Sequence, residues 1–187
     1  DILVDHLDSI VSAGGFVLLA DGAIPKGDYA TTGDRRREKY CCVFDDPNNY
    51  TGFAGDGYYP GWVPGPASDN RITAINALRW MIPQAAFVVD IGTCSSYGGI
   101  PAATNKGSAQ KTGAVSVAGA CDYIKNTLGD SNFANFDPDN LAGNPNFTPI
   151  IQVPGCPPHP DWIVYPVAHY LATLTLPALD PQGRPSA

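Results

Sequence analysis

A chain of 187 residues, 44% of them hydrophobic, is long enough for one substantial domain with an ordinary buried core. Its net charge of −7, from 18 acidic against 11 basic residues, leaves no basic stripe to neutralise phosphates, so no nucleic-acid partner is expected. No apolar run approaches the roughly 18 residues of a membrane-spanning helix, and the five cysteines, an odd number, suit metal ligation plus bystanders better than a disulfide framework.

The chain opens on a helical pattern, Asp1–Ala13, with Leu3, Leu7, Ile10 and Val11 on one face and Gly14–Gly15 as its stop. With no initiator Met or capping sequence before it, a fragment or a processed chain is expected. Phe16–Ala20 is a short apolar run and reads as the first strand, ending at Asp21–Gly22. Residues 33–68 form a long irregular insertion rich in Gly, Pro, Tyr and charge, a length usually tied to function or a covering partner. The Arg35–Arg37 cluster inside it reads as a solvated loop rather than a targeting signal. Asp69–Ile82 predicts a helix capped by Ser68 or Asp69 and ended by Pro83.

Ala86–Ile91 is the next expected strand, and Val115–Leu128 the next helix. Residues 129–147, rich in Asn, Asp and Pro, read as a second insertion. Thr148–Val153 is the last strand and Pro160–Leu174 the last helix, with Pro166 expected to kink it or to start a new first turn. The tail from Thr175 reads as extended and polar. This alternation predicts an α/β fold of one domain: a flavodoxin-like parallel sheet with helices on both faces and right-handed crossovers.

Two stretches carry the chemistry. In DIGTCSSYGGIPA, Cys94 follows an apolar run and a glycine; in IQVPGCPPHPD, Cys156 does the same. Each reads as a buried strand delivering a cysteine to the carboxyl edge of the sheet, where open α/β folds place ligands. The 61 residues between them do not prevent their meeting in space. An iron–sulfur cluster needs soft thiolates, usually four, with tight turns whose backbone N–H groups face the sulfides. Gly92, Gly98, Gly99 and Gly155 suit such turns, and Pro154 and Pro157–Pro158 stiffen the second loop.

Other candidates weigh less. Cys121 sits in a helical pattern and reads as core. Cys41–Cys42 is a vicinal pair, poorly placed for one metal; a zinc site there with a histidine lacks the usual spacing. His159 and His169 read as loop-packing and as interface or core residues, and Asp21, Asp90 and Asp161 as cap or turn carboxylates. No paired acid and base, glycine-rich dinucleotide motif or phosphate loop occurs.

DGAIP at Asp21–Pro25, GTCSSYGGIPAA at Gly92–Ala103, TGAVSV at Thr112–Val117, PGCPPHPDW at Pro154–Trp162 and LPALDPQGRP at Leu176–Pro185 occur in this order. Together they resemble the small, electron-transferring subunit of nickel–iron hydrogenases. The resemblance implies that Cys94 and Cys156 are two of the four ligands of the proximal [4Fe–4S] cluster. It implies that Gly92, Thr93, Ser95 and Gly155 shape the surroundings that tune that cluster. The family's other two ligands come from a Cys-x-x-Cys motif that this sequence does not contain. Oxygen-tolerant members carry an extra cysteine at the position held here by Gly99, so the ordinary kind is implied. The implied partners are a large subunit holding the nickel–iron centre and a downstream cytochrome- or ferredoxin-type carrier, in a periplasmic or membrane-associated setting. A cluster subunit of a related non-hydrogenase complex and a cluster-free partner-binding scaffold are the alternatives.

Overall fold

In the computed structural model of the chain, residues 2–25, 42–45, 48–52, 71–103 and 113–186 are described. Helix α1 (Ile2–Ala13) turns its Val4 and Val11 inward. It stops where Gly14 and Gly15 both take positive φ, a conformation costly for any residue with a Cβ.

The frame is a parallel sheet of three strands: β1 (Val17–Asp21), then β5 (Phe87–Ile91), then β7 (Ile150–Val153). Two minor antiparallel pairs flank it: β2 (Ile24–Pro25) with β6 (Ala114–Val115), and β3 (Cys42–Asp45) with β4 (Arg71–Thr73). The register of the three-stranded sheet is unbroken, with Ala20 opposite Asp90 and Asp90 opposite Gln152. Strands β5 and β7 are buried on both sides, which is why they read as apolar runs rather than alternating ones.

Because strand side chains alternate, the sheet sorts its residues into two cores. Val88 and Ile150 pack with Ile75 and Leu78 of helix α2 (Ala74–Met81) and with Val117, Cys121 and Ile124 of helix α5 (Val117–Asn126). Phe87, Val89, Ile151 and Val153 pack on the opposite side against Ile163, Val167 and Tyr170 of helix α6 (Pro160–Thr173). Phe87 meets Tyr170 edge-on, with ring centroids 5.0 Å apart. Helices thus cover both faces of a parallel sheet.

Several local expectations shift. Residues 42–45, expected to be irregular, form a strand. Helix α2 starts after Thr73, whose hydroxyl accepts from the Asn76 N–H at 3.1 Å, because residues 71–73 are held in strand β4. Ser68 and Asp69 lie outside the described residues. Pro83 sits in a 3₁₀ turn, Ile82–Gln84, that closes the helix. Helix α6 runs on through Pro166 without a new first turn.

Residues 129–147 contribute to the core: Phe133, Phe136 and Leu141 are buried, and Phe147 packs between the two phenylalanines. The tail is also folded rather than extended. Leu179 bridges Pro185, Asp180 pairs with Arg184 at 2.7 Å, and the Gln152 N–H donates to Gly183 O at 2.9 Å along the edge of β7. Among the described residues no helix is long and apolar enough to cross a membrane.

Candidate functional site

The three parallel strands end together. Gly92, directly after β5, takes φ +87, and a Cβ there would lie 3.4 Å from Gly155 O, 3.8 Å from Pro158 Cδ and 4.0 Å from Asp21 Oδ1. The loops after β5 and β7 are joined twice. The Thr93 N–H donates to Gly155 O at 2.8 Å, and the Gly155 N–H donates to Thr93 Oγ1 at 3.2 Å. Each tie involves the residue just before a cysteine, so Cys94 and Cys156 leave from adjacent, fixed points on one sheet edge.

Where a plain turn was expected, the chain forms a short helix α3 (Gly92–Tyr97) with Cys94 in its first turn. Gly98 ends it in a left-handed cap, its N–H donating to Cys94 O at 2.8 Å. A second short helix, α4 (Gly99–Ala103), follows at once. Gly99 keeps open the ground over the thiol, since a Cβ there would sit 2.6 Å from Cys94 Sγ. Cys94 is half-buried and Cys156 exposed; both are free thiols.

This donor set fits one half of a four-thiolate cluster site. Two unpaired thiols stand at one edge, and glycines hold the backbone close and the space over Cys94 clear. Among the described residues no group of three or more His, Cys, Asp or Glu side chains converges on a metal position.

The remaining candidates sort themselves. Cys121 is fully buried on α5, as expected of core, and burial pushes its thiol well up. Cys41 lies outside the described residues, and Cys42 lies in β3. His159 caps α6, Nδ1 accepting from the Asp161 N–H at 3.3 Å, and its ring lies 5.9 Å from that of Trp162. His169 is half-buried beside Tyr165. Asp161 lies in the first turn of α6, and Asp21 is exposed at the end of β1.

Asp90 is different from the cap or turn carboxylate it was expected to be. It is fully buried in the central strand, beside the site. Burial pushes its carboxyl well above the usual range, and the nearby Ser95 hydroxyl pulls it back only in part. Gln152, its register partner, donates from Nε2 to Ser96 O at 3.1 Å, linking β7 to α3. The sequence signal for both residues was available: FVVDI and IIQV each place one polar residue inside a buried apolar run.

The family model described as NADH ubiquinone oxidoreductase, 20 Kd subunit, matches residues 13–170. The periplasmic [NiFeSe] hydrogenase small subunit of Desulfomicrobium baculatum is 30% identical over 178 residues, covering 92% of this chain and 41% of that one. The hydrogenase-2 small chain of Escherichia coli K12 is 26% identical over 173 residues, covering 92% of this chain and 30% of its own length. A chain of the H2-activated [NiFeSe]-hydrogenase of Dm. baculatum superposes with a TM-score of 0.62 at 27% identity, over 99% of this chain and 52% of that chain. The chain therefore spans at most about half the length of these relatives. By its match over residues 13–170, it belongs to the NADH ubiquinone oxidoreductase, 20 Kd subunit family, and the relatives it resembles are hydrogenase small subunits.

Proposed function

We propose that this chain is the cluster-bearing part of the electron-transfer subunit of a nickel–iron hydrogenase, serving H2 ⇌ 2 H⁺ + 2 e⁻. The observation that carries the reading is the double tie between Thr93 and Gly155, which brings the Cys94 and Cys156 loops side by side at the carboxyl edge of the parallel sheet. Cys94 and Cys156 hold one side of a proximal [4Fe–4S] cluster, and the other two ligands come from outside residues 1–187. Bound there, the cluster would supply one-electron transfer between the large subunit's nickel–iron centre and a cytochrome- or ferredoxin-type acceptor.

The chain's own residues position and shield. Thr93 fixes the spacing of the two thiols through its backbone and hydroxyl. Gly92, Gly99 and Gly155 let the backbone approach without a Cβ in the way, and Ser95 places a hydroxyl beneath the Cys94 turn. Tyr97 on the Cys94 helix, Ile100 on the helix after it and Trp162 on the helix after the Cys156 loop are exposed apolar surface. We assign that surface to the large subunit, which would keep water from the cluster edge. The 1–187 segment is one domain, with 33–68 as an insertion and 129–147 folded into its core. The periplasmic relative suggests a periplasmic or membrane-associated enzyme.

The test is hydrogen-dependent reduction of a viologen dye by the complex purified without oxygen, together with nickel analysis of the co-purifying large chain. Nickel and activity that vanishes in Cys94→Ala support the reading. A nickel-free partner and no activity favour the second reading, a cluster subunit of another redox complex, which the family description supports. A chain free of iron as well as nickel would leave the cluster-free scaffold.

A further inference from the structure

Beneath the two cysteine loops lies a buried polar group that the electron-transfer reading does not use. Both carboxyl oxygens of Asp90, the hydroxyl of Ser95 and Oε1 of Gln152 are buried and have no hydrogen-bond partner among the described residues. Asp90 and Gln152 are opposite each other on neighbouring parallel strands, so their side chains leave the sheet on the same face. Ser95 reaches the Asp90 carboxyl from α3, and the Cys121 thiol of α5 lies in the core on the same side of the sheet. On the β1 side the register neighbour is Ala20. No cation pairs with Asp90 among the described residues. Its titratable neighbour is the neutral Cys121 thiol, with Asp122 acting beyond it.

Donor counting decides the state of this group. Among these four atoms, with Asp90 ionised, both carboxylate oxygens and Gln152 Oε1 accept and only the Ser95 O–H donates, the nearby Cys121 S–H being a weak donor. A buried amide oxygen would then face a buried anion, an arrangement that costs free energy twice. With Asp90 neutral there are two donors and two acceptors. Ser95 O–H then donates to the Asp90 carbonyl, and Asp90 O–H donates to Gln152 Oε1.

We propose that Asp90 is a neutral carboxylic acid and a positioning residue, joining Ser95 beside Cys94 to Gln152 in the strand that leads to Cys156. Gln152 Nε2 already reaches Ser96 O, so the acid closes a loop of hydrogen bonds between the two cysteine-bearing elements. The significance for a cluster rests on the electron-transfer reading above. The group itself concerns this chain's residues and is measurable without iron.

The experiment uses the full-length protein, freed of iron by chelation under reducing conditions, in three forms: wild type, Asp90→Asn and Asp90→Leu. Infrared spectra between about pH 5 and about pH 8 should show a protonated-carboxyl band, shifted in deuterium oxide, in wild type and not in Asp90→Asn. Alkylation of Cys94, followed by mass spectrometry, should proceed at the wild-type rate in Asp90→Asn, because an amide supplies the same donor and acceptor. In Asp90→Leu it should rise at least about tenfold, by loss of a buried network linking the loops. Should Asp90→Leu fail to fold, Gln152→Leu gives the same comparison from the other side. Absence of the band in wild type, or equal alkylation in all forms, overturns the proposal. Iron in the untreated protein is measured in parallel, so failure of the cluster reading shows itself separately.

Discussion

Replacing Gly99 by alanine probes the site directly. Gly99 has φ +55, and an alanine held there costs about 1 kcal/mol from backbone strain alone. The new Cβ would also fall 2.6 Å from Cys94 Sγ, 3.1 Å from Cys94 Cα and 3.3 Å from its Cβ. Cys94 cannot simply withdraw, since its carbonyl accepts the Gly98 N–H that caps α3. Such overpacking costs about 1–3 kcal/mol, for a total of about 2–4 kcal/mol. Gly129→Ala supplies the control: φ is +67, but nothing lies within 4 Å of the added Cβ, leaving the strain of about 1 kcal/mol alone. Urea unfolding of both variants, with unchanged m, should separate their stabilities by about 1–3 kcal/mol. Equal losses would refute the placement of the Cys94 thiol under Gly99.

The same framework makes three further predictions. Phe133→Ala should cost about 3–5 kcal/mol, as for a core phenylalanine, although it lies in an irregular stretch; a loss under about 1 kcal/mol would return residues 129–147 to the surface. Gly183→Ala should detach the tail from β7, because its Cβ would run into Ile150 O and its φ is +76; faster proteolysis after Leu176 would report it, and wild-type resistance would contradict it. Asp90 gives a pH signature. Its folded carboxyl is raised above the unfolded value, so the folded state holds the proton more tightly, and stability is full below about pH 4 and declines as pH rises toward the folded value. Asp90→Asn should remove that decline, at most about 1.4 kcal/mol per pH unit, and parallel stability–pH curves for the two proteins would refute it.

The frame of the sheet was legible because β5 and β7 are buried on both faces, and such strands leave continuous apolar runs ended by glycine. The positions of Cys94 and Cys156 followed from those runs. What the residues did not disclose depended on pairing between distant segments. Residues 71–73 look like the start of a helix by periodicity, but pairing with 42–45 holds them extended, so the helix starts at Ala74 with Thr73 as its cap. Phe133, Phe136 and Phe147 were set among Asn, Asp and Pro, whose turn chemistry hid an aromatic contribution to the core. Asp90 was read as a cap or turn carboxylate; its burial arises from Gln152, Ser95 and Cys121 closing around it. Pro166, expected to kink its helix or to mark a new first turn, starts no new turn: α6 continues through it.

The central claim is that Cys94 and Cys156 ligate one cluster. Iron and acid-labile sulfide per small chain, measured on the full-length complex purified without oxygen, tests it in Cys94→Ala, Cys156→Ala and Cys121→Ala. The account predicts that each of the first two loses about four iron and four sulfide relative to wild type, while Cys121→Ala loses none. Undiminished iron in Cys94→Ala and Cys156→Ala, with the protein folded, would contradict it.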